Sequence, residues 1–148
     1  MSLYVAAAAG SRMERTESVR AVAGRGIEGD RYFLRAGTYS GQDGPDRQIT
    51  LIETEALEAL ARDYALEIDA SESRRNVATR DVALNHLVGR LFRVGEATLR
   101  GLRLCEPCGH MERLSGKRVR PGLVHRGGLR AEIVRDGVIR VGDPIEAA

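Results

Sequence analysis

The chain is poor in several residue types, and each shortage narrows what it can be. It has no tryptophan, and aromatics make up 4% of its 148 residues. Stacking platforms for single-stranded nucleic acid rely on aromatic side chains, so that class is disfavoured. It has two cysteines, Cys105 and Cys108, only two residues apart. They cannot staple distant parts of a secreted fold, and so few thiols suit a reducing cytoplasm. No apolar run approaches the roughly 18 residues of a membrane span. The apolar start, Met1 to Ala9, has no basic leader and reads as a strand rather than a secretory signal. A large charge excess is absent too. Against 21 acidic residues stand 23 basic ones, for a net charge of +2, too balanced to argue for nucleic acid. Among the basic residues Lys117 is the single lysine and the rest are arginine, which suits bidentate binding of carboxylate or phosphate.

What is present reads as one domain with a real core, since 43% of residues are hydrophobic. No repeat or long linker interrupts it. Val19–Val22 reads as a short strand that ends at a glycine-rich turn, Gly24-Arg25-Gly26-Ile27-Glu28-Gly29-Asp30-Arg31. Residues 36–46, with Gly, Pro and Asp, predict a mobile loop. Gln48–Ile52 is β-branched and predicts a strand. Leu57, Leu60, Ala61 and Tyr64 follow helical spacing, with Thr54 as N-cap and Glu55 in the first turn. Asp69 and Glu72 have capping-box spacing for a very short helix before Arg74. Val77–Thr79, Leu91–Val94 and Ala97–Leu104 predict further strands. In the last, Ala97, Leu99, Gly101 and Arg103 alternate against Thr98, Arg100, Leu102 and Leu104. A helical turn is expected after Pro107. Leu129–Arg135, Asp136-Gly137 and Val138–Val141 carry the signature of a β-hairpin with a type I′ turn. Short strands with one substantial helix predict a barrel or a sandwich with helical insertions.

Four stretches could carry chemistry. Cys105-Glu106-Pro107-Cys108 lies at a strand end before a helical turn, where unpaired amides favour the thiolate, the form that attacks and that binds soft metals. Dithiol–disulfide chemistry, a zinc site with His110 and His125, and two inert buried thiols all remain open from spacing alone. Ser73-Arg74-Arg75-Asn76-Val77-Ala78-Thr79-Arg80 concentrates arginines and hydroxyls. On a strand, Arg74 and Asn76 share one face and Arg75 the other, and that face could grip a phosphate or a heterocycle edge. A solvated strand edge is the competing reading. Gly24, Gly26 and Gly29 have GxGxxG spacing but open no helix, so a dinucleotide fold is excluded; a plain structural turn is the preferred reading of the glycines, and a turn that aims Arg31 inward is the functional one. His125, on a loop flanked by glycines, is a proton-donor candidate near neutral pH. His86 and His110 have weaker claims, and Glu53, at a strand-to-helix junction, could be an acid or base.

Together these stretches resemble the MOSC family, named for the C-terminal domain of molybdenum-cofactor sulfurases. The matching segments, in the family's order across residues 18–146, are Gly26–Arg31, Arg47–Ile52, Arg74–Val77, Leu84-Asn85 through Gly89, Cys105–Cys108 and Val141–Ile145. The resemblance implies that residues 1–148 form a single MOSC domain, a mainly β fold with a closed antiparallel β-barrel and a few short helices. It also implies molybdenum-cofactor binding or sulfur carriage. In amidoxime-reducing members a cysteine thiolate ligates molybdenum, and arginines with an Asn-bearing strand hold the pterin phosphate. Carried over, these roles fall on Cys108 as metal ligand and catalytic residue, and on Arg31, Arg74 and Asn76 as cofactor contacts, with Arg103 placed beside them. Three functions follow as expectations. The first is reduction of small N-oxygenated compounds with an electron-transfer partner. The second is carriage of a persulfide supplied by a cysteine desulfurase, and the third is a non-catalytic binding module. No nucleic acid or membrane partner is expected. The enzymatic relatives carry a further N-terminal β-barrel domain, for which this chain has no room.

Overall fold

The structure, a computed structural model, describes residues 1–8, 10–31, 33, 47–107 and 109–148, without the side chains of Gly109 and His110. The loop expected at 36–46 and Cys108 lie outside the described residues. Eleven strands and three α-helices are described: β1 (Ser2–Val5), β2 (Glu14–Thr16), β3 (Ser18–Val22), β4 (Gly26–Ile27), β5 (Ile49–Glu53), α1 (Thr54–Tyr64), β6 (Val77–Thr79), β7 (Leu91–Val94), β8 (Ala97–Leu104), α2 (Gly109–Ser115), α3 (Arg120–Leu123), β9 (Leu129–Arg135), β10 (Gly137–Arg140) and β11 (Ile145–Ala147). A 3₁₀ turn spans Leu84–Leu87.

Eight strands form one sheet in the order β11-β7-β8-β9-β5-β6-β1-β2, and β10-β3-β4 form a second. Every strand pairing is antiparallel except β5 with β6. The expectation of a mainly β fold with few helices is met. The closed barrel is not: the large sheet is an open half-barrel, with β11 and β2 as unpaired edges among the described residues. The small sheet supplies the opposing wall, because Val19, Ala21, Ile27 and Ile139 pack in one core with Leu3, Leu51, Val77, Phe92, Leu99 and Leu129 of the large sheet.

Strand periodicity explains why β1, β5 and β6 are apolar on both faces. Successive side chains point to opposite sides of a sheet. Leu3, Leu51 and Val77 enter that inter-sheet core, whereas Tyr4, Ile52 and Ala78 enter a second core under α1, with Leu57, Leu60, Met111 and Leu123. A strand buried on both faces reads as a continuous apolar run, as Ile49-Thr50-Leu51-Ile52 does. On α1 the buried side chains are Ala56, Leu57, Ala59 and Leu60, and Tyr64, expected on that stripe, is exposed. The N-cap is Glu53 rather than Thr54, without a side-chain bond, since Glu53 is still paired to Thr79 on β6. No helix among the described residues is long and apolar enough to cross a membrane.

Two local expectations fail for identifiable reasons. The capping box at Asp69 and Glu72 forms, with each backbone N–H donating to the other's carboxylate at 3.1 Å. No helix follows it, because Arg74 takes a left-handed conformation, φ 65°, and the segment stays a turn. The Asp136-Gly137 hairpin is also absent. A type I′ turn requires positive φ at both central residues, and neither residue has it. Instead β9 stays in the large sheet beside β8 and β5, while β10 crosses to pair with β3. The Asp136 carboxylate accepts the Ala23 N–H at 2.6 Å, and a side chain at 137 would sit 2.4 Å from the Glu96 backbone. Glycine is there for a close crossing rather than a tight turn.

The start of β6 is tied down by Asn76. Its Oδ1 accepts from the Thr50 N–H at 3.1 Å and the Thr50 hydroxyl at 3.2 Å, and its Nδ2 donates to the Tyr4 carbonyl at 3.2 Å. One buried amide therefore joins β1, β5 and β6. Replacing it by Leu strands the Thr50 N–H and the Tyr4 carbonyl away from water, at about 1–3 kcal/mol for each unsatisfied group. Urea unfolding of Asn76→Leu is expected to show a loss of roughly 3 kcal/mol; a loss below about 0.5 kcal/mol, the range of ordinary surface substitutions, would refute the clamp.

Candidate functional site

The polar residues singled out in the sequence converge where the Gly24–Arg31 turn meets the segment leading into β6. Asp30 is fully buried and its Oδ1 accepts from the Ala6 N–H and from Arg31, both at 3.1 Å. Arg31 is buried as well. Its Nη1 also reaches the Met13 sulfur at 3.4 Å, and its Nη2 donates to the Arg74 carbonyl at 3.4 Å. The turn thus delivers Arg31 inward as expected, where it braces the backbone of Arg74. Arg74 in turn donates to the Ser11 carbonyl.

Arg74 lines a polar cavity of about 400 Å³ with Gly10, Arg12, Met13, Asp69, Ser71, Glu72 and Leu114. A second cavity of about 500 Å³ shares Arg12, Met13, Asp69 and Ser71 with it and adds Tyr4, Glu14 and Arg15. Two lining carboxylates, Asp69 of the shared wall and Glu72 of the first cavity, are already engaged. Asp69 accepts from the Ser71 hydroxyl and the Glu72 N–H; the hydroxyl bond is the main reason its carboxyl is held below the ordinary range. Glu72 lies 3.8 Å from the Lys117 ammonium. Leu114 belongs to α2, the helix that opens one residue after Cys108, so the cavity wall includes the element following the cysteine loop.

The remaining sequence candidates separate. Asn76 and Arg74 do not act from a common strand face, because Arg74 is left-handed and precedes the strand; the Asn76 amide is committed to Tyr4 and Thr50. Arg103 was grouped by alternation with the buried Ala97, Leu99 and Gly101, yet it is exposed. The β8–β9 register shifts between Gly101 and Arg103, and such an irregularity re-aims the side chains beyond it. Neither Arg103 nor Asn76 is among the described residues lining the cavity. Cys105 is buried. His125 is exposed and left-handed, φ 62°; its N–H donates to Glu106 Oε1 at 2.7 Å and its Nδ1 lies 2.9 Å from Oε2. Its carbonyl accepts from Asn85 Nδ2 at 2.8 Å. Among the described residues no group of three or more His, Cys, Asp or Glu side chains is placed to hold a metal ion.

Sequence reasoning missed two residues here. Arg12 lines both cavities, and it was not among the residues carried over from the resemblance. Arg75 is buried; its Nε donates to the Gly127 carbonyl at 2.8 Å and its Nη2 to the Cys105 carbonyl at 3.0 Å. An extended strand through 74–76 would have pointed it away from Arg74, and only the left-handed turn at 74 breaks that pattern.

These features define a two-sheet β domain with a buried arginine cluster and a polar cavity whose wall includes Leu114 of α2. The chain belongs to the MOSC domain family, whose model matches residues 38–146. No curated protein matches it by sequence. Among solved structures, the YuaD protein from Bacillus subtilis superimposes with a TM-score of 0.81 at 20% identity, covering 98% of this chain and 92% of that one. YiiM from Geobacillus stearothermophilus gives 0.76 at 14% identity, covering 99% and 73%. YiiM from Escherichia coli gives 0.65 at 19% identity, covering 100% and 70%. At these identities the likeness is one of fold.

Glu53, an acid–base candidate, stands at the β5–α1 junction, where the sequence placed it. Burial raises its pKa, the Leu84 N–H partly offsets this, Glu55 raises it further and His86 lowers it. A carboxyl raised on folding binds more protons folded than unfolded between the ordinary and the raised pKa. Its ionisation therefore costs stability as pH rises through the raised value. Glu53→Gln keeps an acceptor for Leu84 and removes that cost. Its melting temperature is expected to exceed wild type at pH 7, with the gain vanishing below the ordinary carboxylate range; a gain independent of pH would contradict the assignment.

Proposed function

We propose that this MOSC domain binds molybdenum cofactor through the Cys108 thiolate and reduces small N-oxygenated compounds with electrons from a partner protein. The observation that carries the reading is the composition of the polar cavity. It sets Arg74, braced by Arg31, and Arg12 against Leu114 of the helix that follows Cys108. Guanidinium groups suit phosphate, because their planar fork donates two parallel hydrogen bonds. A thiolate suits a soft metal. Arg74 and Arg12 therefore suit the anionic end of such a cofactor and Cys108 is assigned its metal, while Asn76 contributes by holding the start of the strand that follows Arg74. Such a group would supply two-electron exchange coupled to oxygen transfer, the chemistry that N–O reduction needs. The protein's own part is to fix the phosphate end, through Arg74 held in turn by Arg31 and Ser11, and to present the thiolate from the loop after β8. A reducing, cytoplasmic setting keeps both cysteines as thiols for that role.

Metal analysis tests this directly. The protein and its Cys108→Ser variant would be purified from a host that makes the cofactor, and molybdenum and released pterin quantified. Stoichiometric molybdenum and pterin in the wild type, lost in a folded variant, is the expected result. Molybdenum retained by the variant, or absent from both, would overturn the reading. In the second case an added sulfur on Cys108 after incubation with a cysteine desulfurase would assign the site to persulfide carriage.

A further inference from the structure

We propose that Arg75 is the positioning residue of the segment leading to Cys108, fixing residues 105–107 by a guanidinium fork on two main-chain carbonyls. Arg75 is 7% exposed, and among the described residues it has no carboxylate partner. A buried cation usually requires a counter-ion or a full set of hydrogen bonds to offset its desolvation. Arg75 instead spends one edge of its guanidinium, Nε and Nη2, on the Gly127 and Cys105 carbonyls. These acceptors lie just beyond two strand ends, the exit of β8 and the entry of β9.

The surroundings are built for this fork. The Cys105 N–H donates to the Gly128 carbonyl at 2.7 Å, so the residue is pinned from both its amide and its carbonyl. A side chain at 127 would sit 2.5 Å from the Cys105 carbonyl oxygen and 2.9 Å from the Pro107 ring. Glycine there lets the 127–128 backbone lie directly on the cysteine loop. A neutral apolar residue cannot replace the fork, and neither can lysine, whose ammonium is a point charge without two divergent, coplanar donors. Arg75 acts on Cys108 only through this backbone, as a positioning residue and not a catalytic one.

The proposal rests on the role assigned to Cys108, but its first readouts do not. In the wild-type chain, the Arg75 Nε–H should exchange with solvent far more slowly than an exposed arginine's in NMR; fast exchange would overturn the fork. In Arg75→Met and Arg75→Lys, alkylation of the buried Cys105, resolved from Cys108 by fragment-ion mass spectrometry, should accelerate at least tenfold beyond what their change in global stability accounts for. Gly127→Ala, which forces the loop off the fork with Arg75 present, should do the same. Unchanged Cys105 labelling, labelling that merely tracks global stability, or wild-type behaviour restored by Lys would each count against it. Molybdenum loading should fall in both Arg75 variants. Full loading with Cys105 exposed would show that the loop's position does not matter to the site. If Cys108→Ser keeps its metal, the functional reading falls while the exchange and labelling results still decide the fork.

Discussion

Four consecutive polar residues, Ser73 to Asn76, are buried at the entrance to β6, and the site depends on how their hydrogen bonds are met. A buried polar group without a partner costs more than a typical bond contributes, so each of these side chains dictates where its neighbours must be. Asn76 holds β1 and β5. Arg75 holds the ends of β8 and β9. The Arg74 carbonyl receives Arg31 from the glycine-rich turn, and the Ser73 hydroxyl closes its own turn on Ala70. Pieces of chain from opposite ends of the sequence are brought to one place by this short segment.

Much of this was legible before the fold was known. Alternation located β8 and helical spacing located α1, because those elements bury one face each and their patterns report it. The glycine-rich turn was read as aiming Arg31 inward, and Asp30 shows why: a fully buried carboxylate draws the arginine with it. What stayed hidden depends on single backbone conformations. Arg74 at φ 65° interrupts the strand periodicity on which the pairing of Arg74 with Asn76 was based. The irregularity after Gly101 turns Arg103 to solvent. The Asp136-Gly137 pair carries a local hairpin signal, yet tertiary packing against Glu96 and Ala23 uses the same two residues for a crossing.

The three neighbouring arginines illustrate how one residue type takes distinct tasks. Arg31 is neutralised by Asp30 and serves as a brace. Arg74 lines the cavity. Arg75 faces carbonyl groups and organises backbone. Sequence composition shows only that arginine is abundant; the division of labour comes from which acceptor each guanidinium meets. A charge facing a carboxylate contributes little net field, whereas one facing carbonyls leaves a local excess of positive potential. That excess lies against the Cys105 carbonyl.

The crossing of β10 to β3 also sets an order of events during synthesis. The small sheet joins residues 18–27 to residues 137–140, so the β3–β4 ribbon has no third strand until residues 137–140 have left the ribosome. Contacts of such long sequence separation close slowly, and a two-stranded ribbon is marginal alone. Nascent chains of this protein therefore hold an apolar ribbon face, Val19, Ala21 and Ile27, without its third strand until more than a hundred further residues have been made, a natural point of engagement for chaperones.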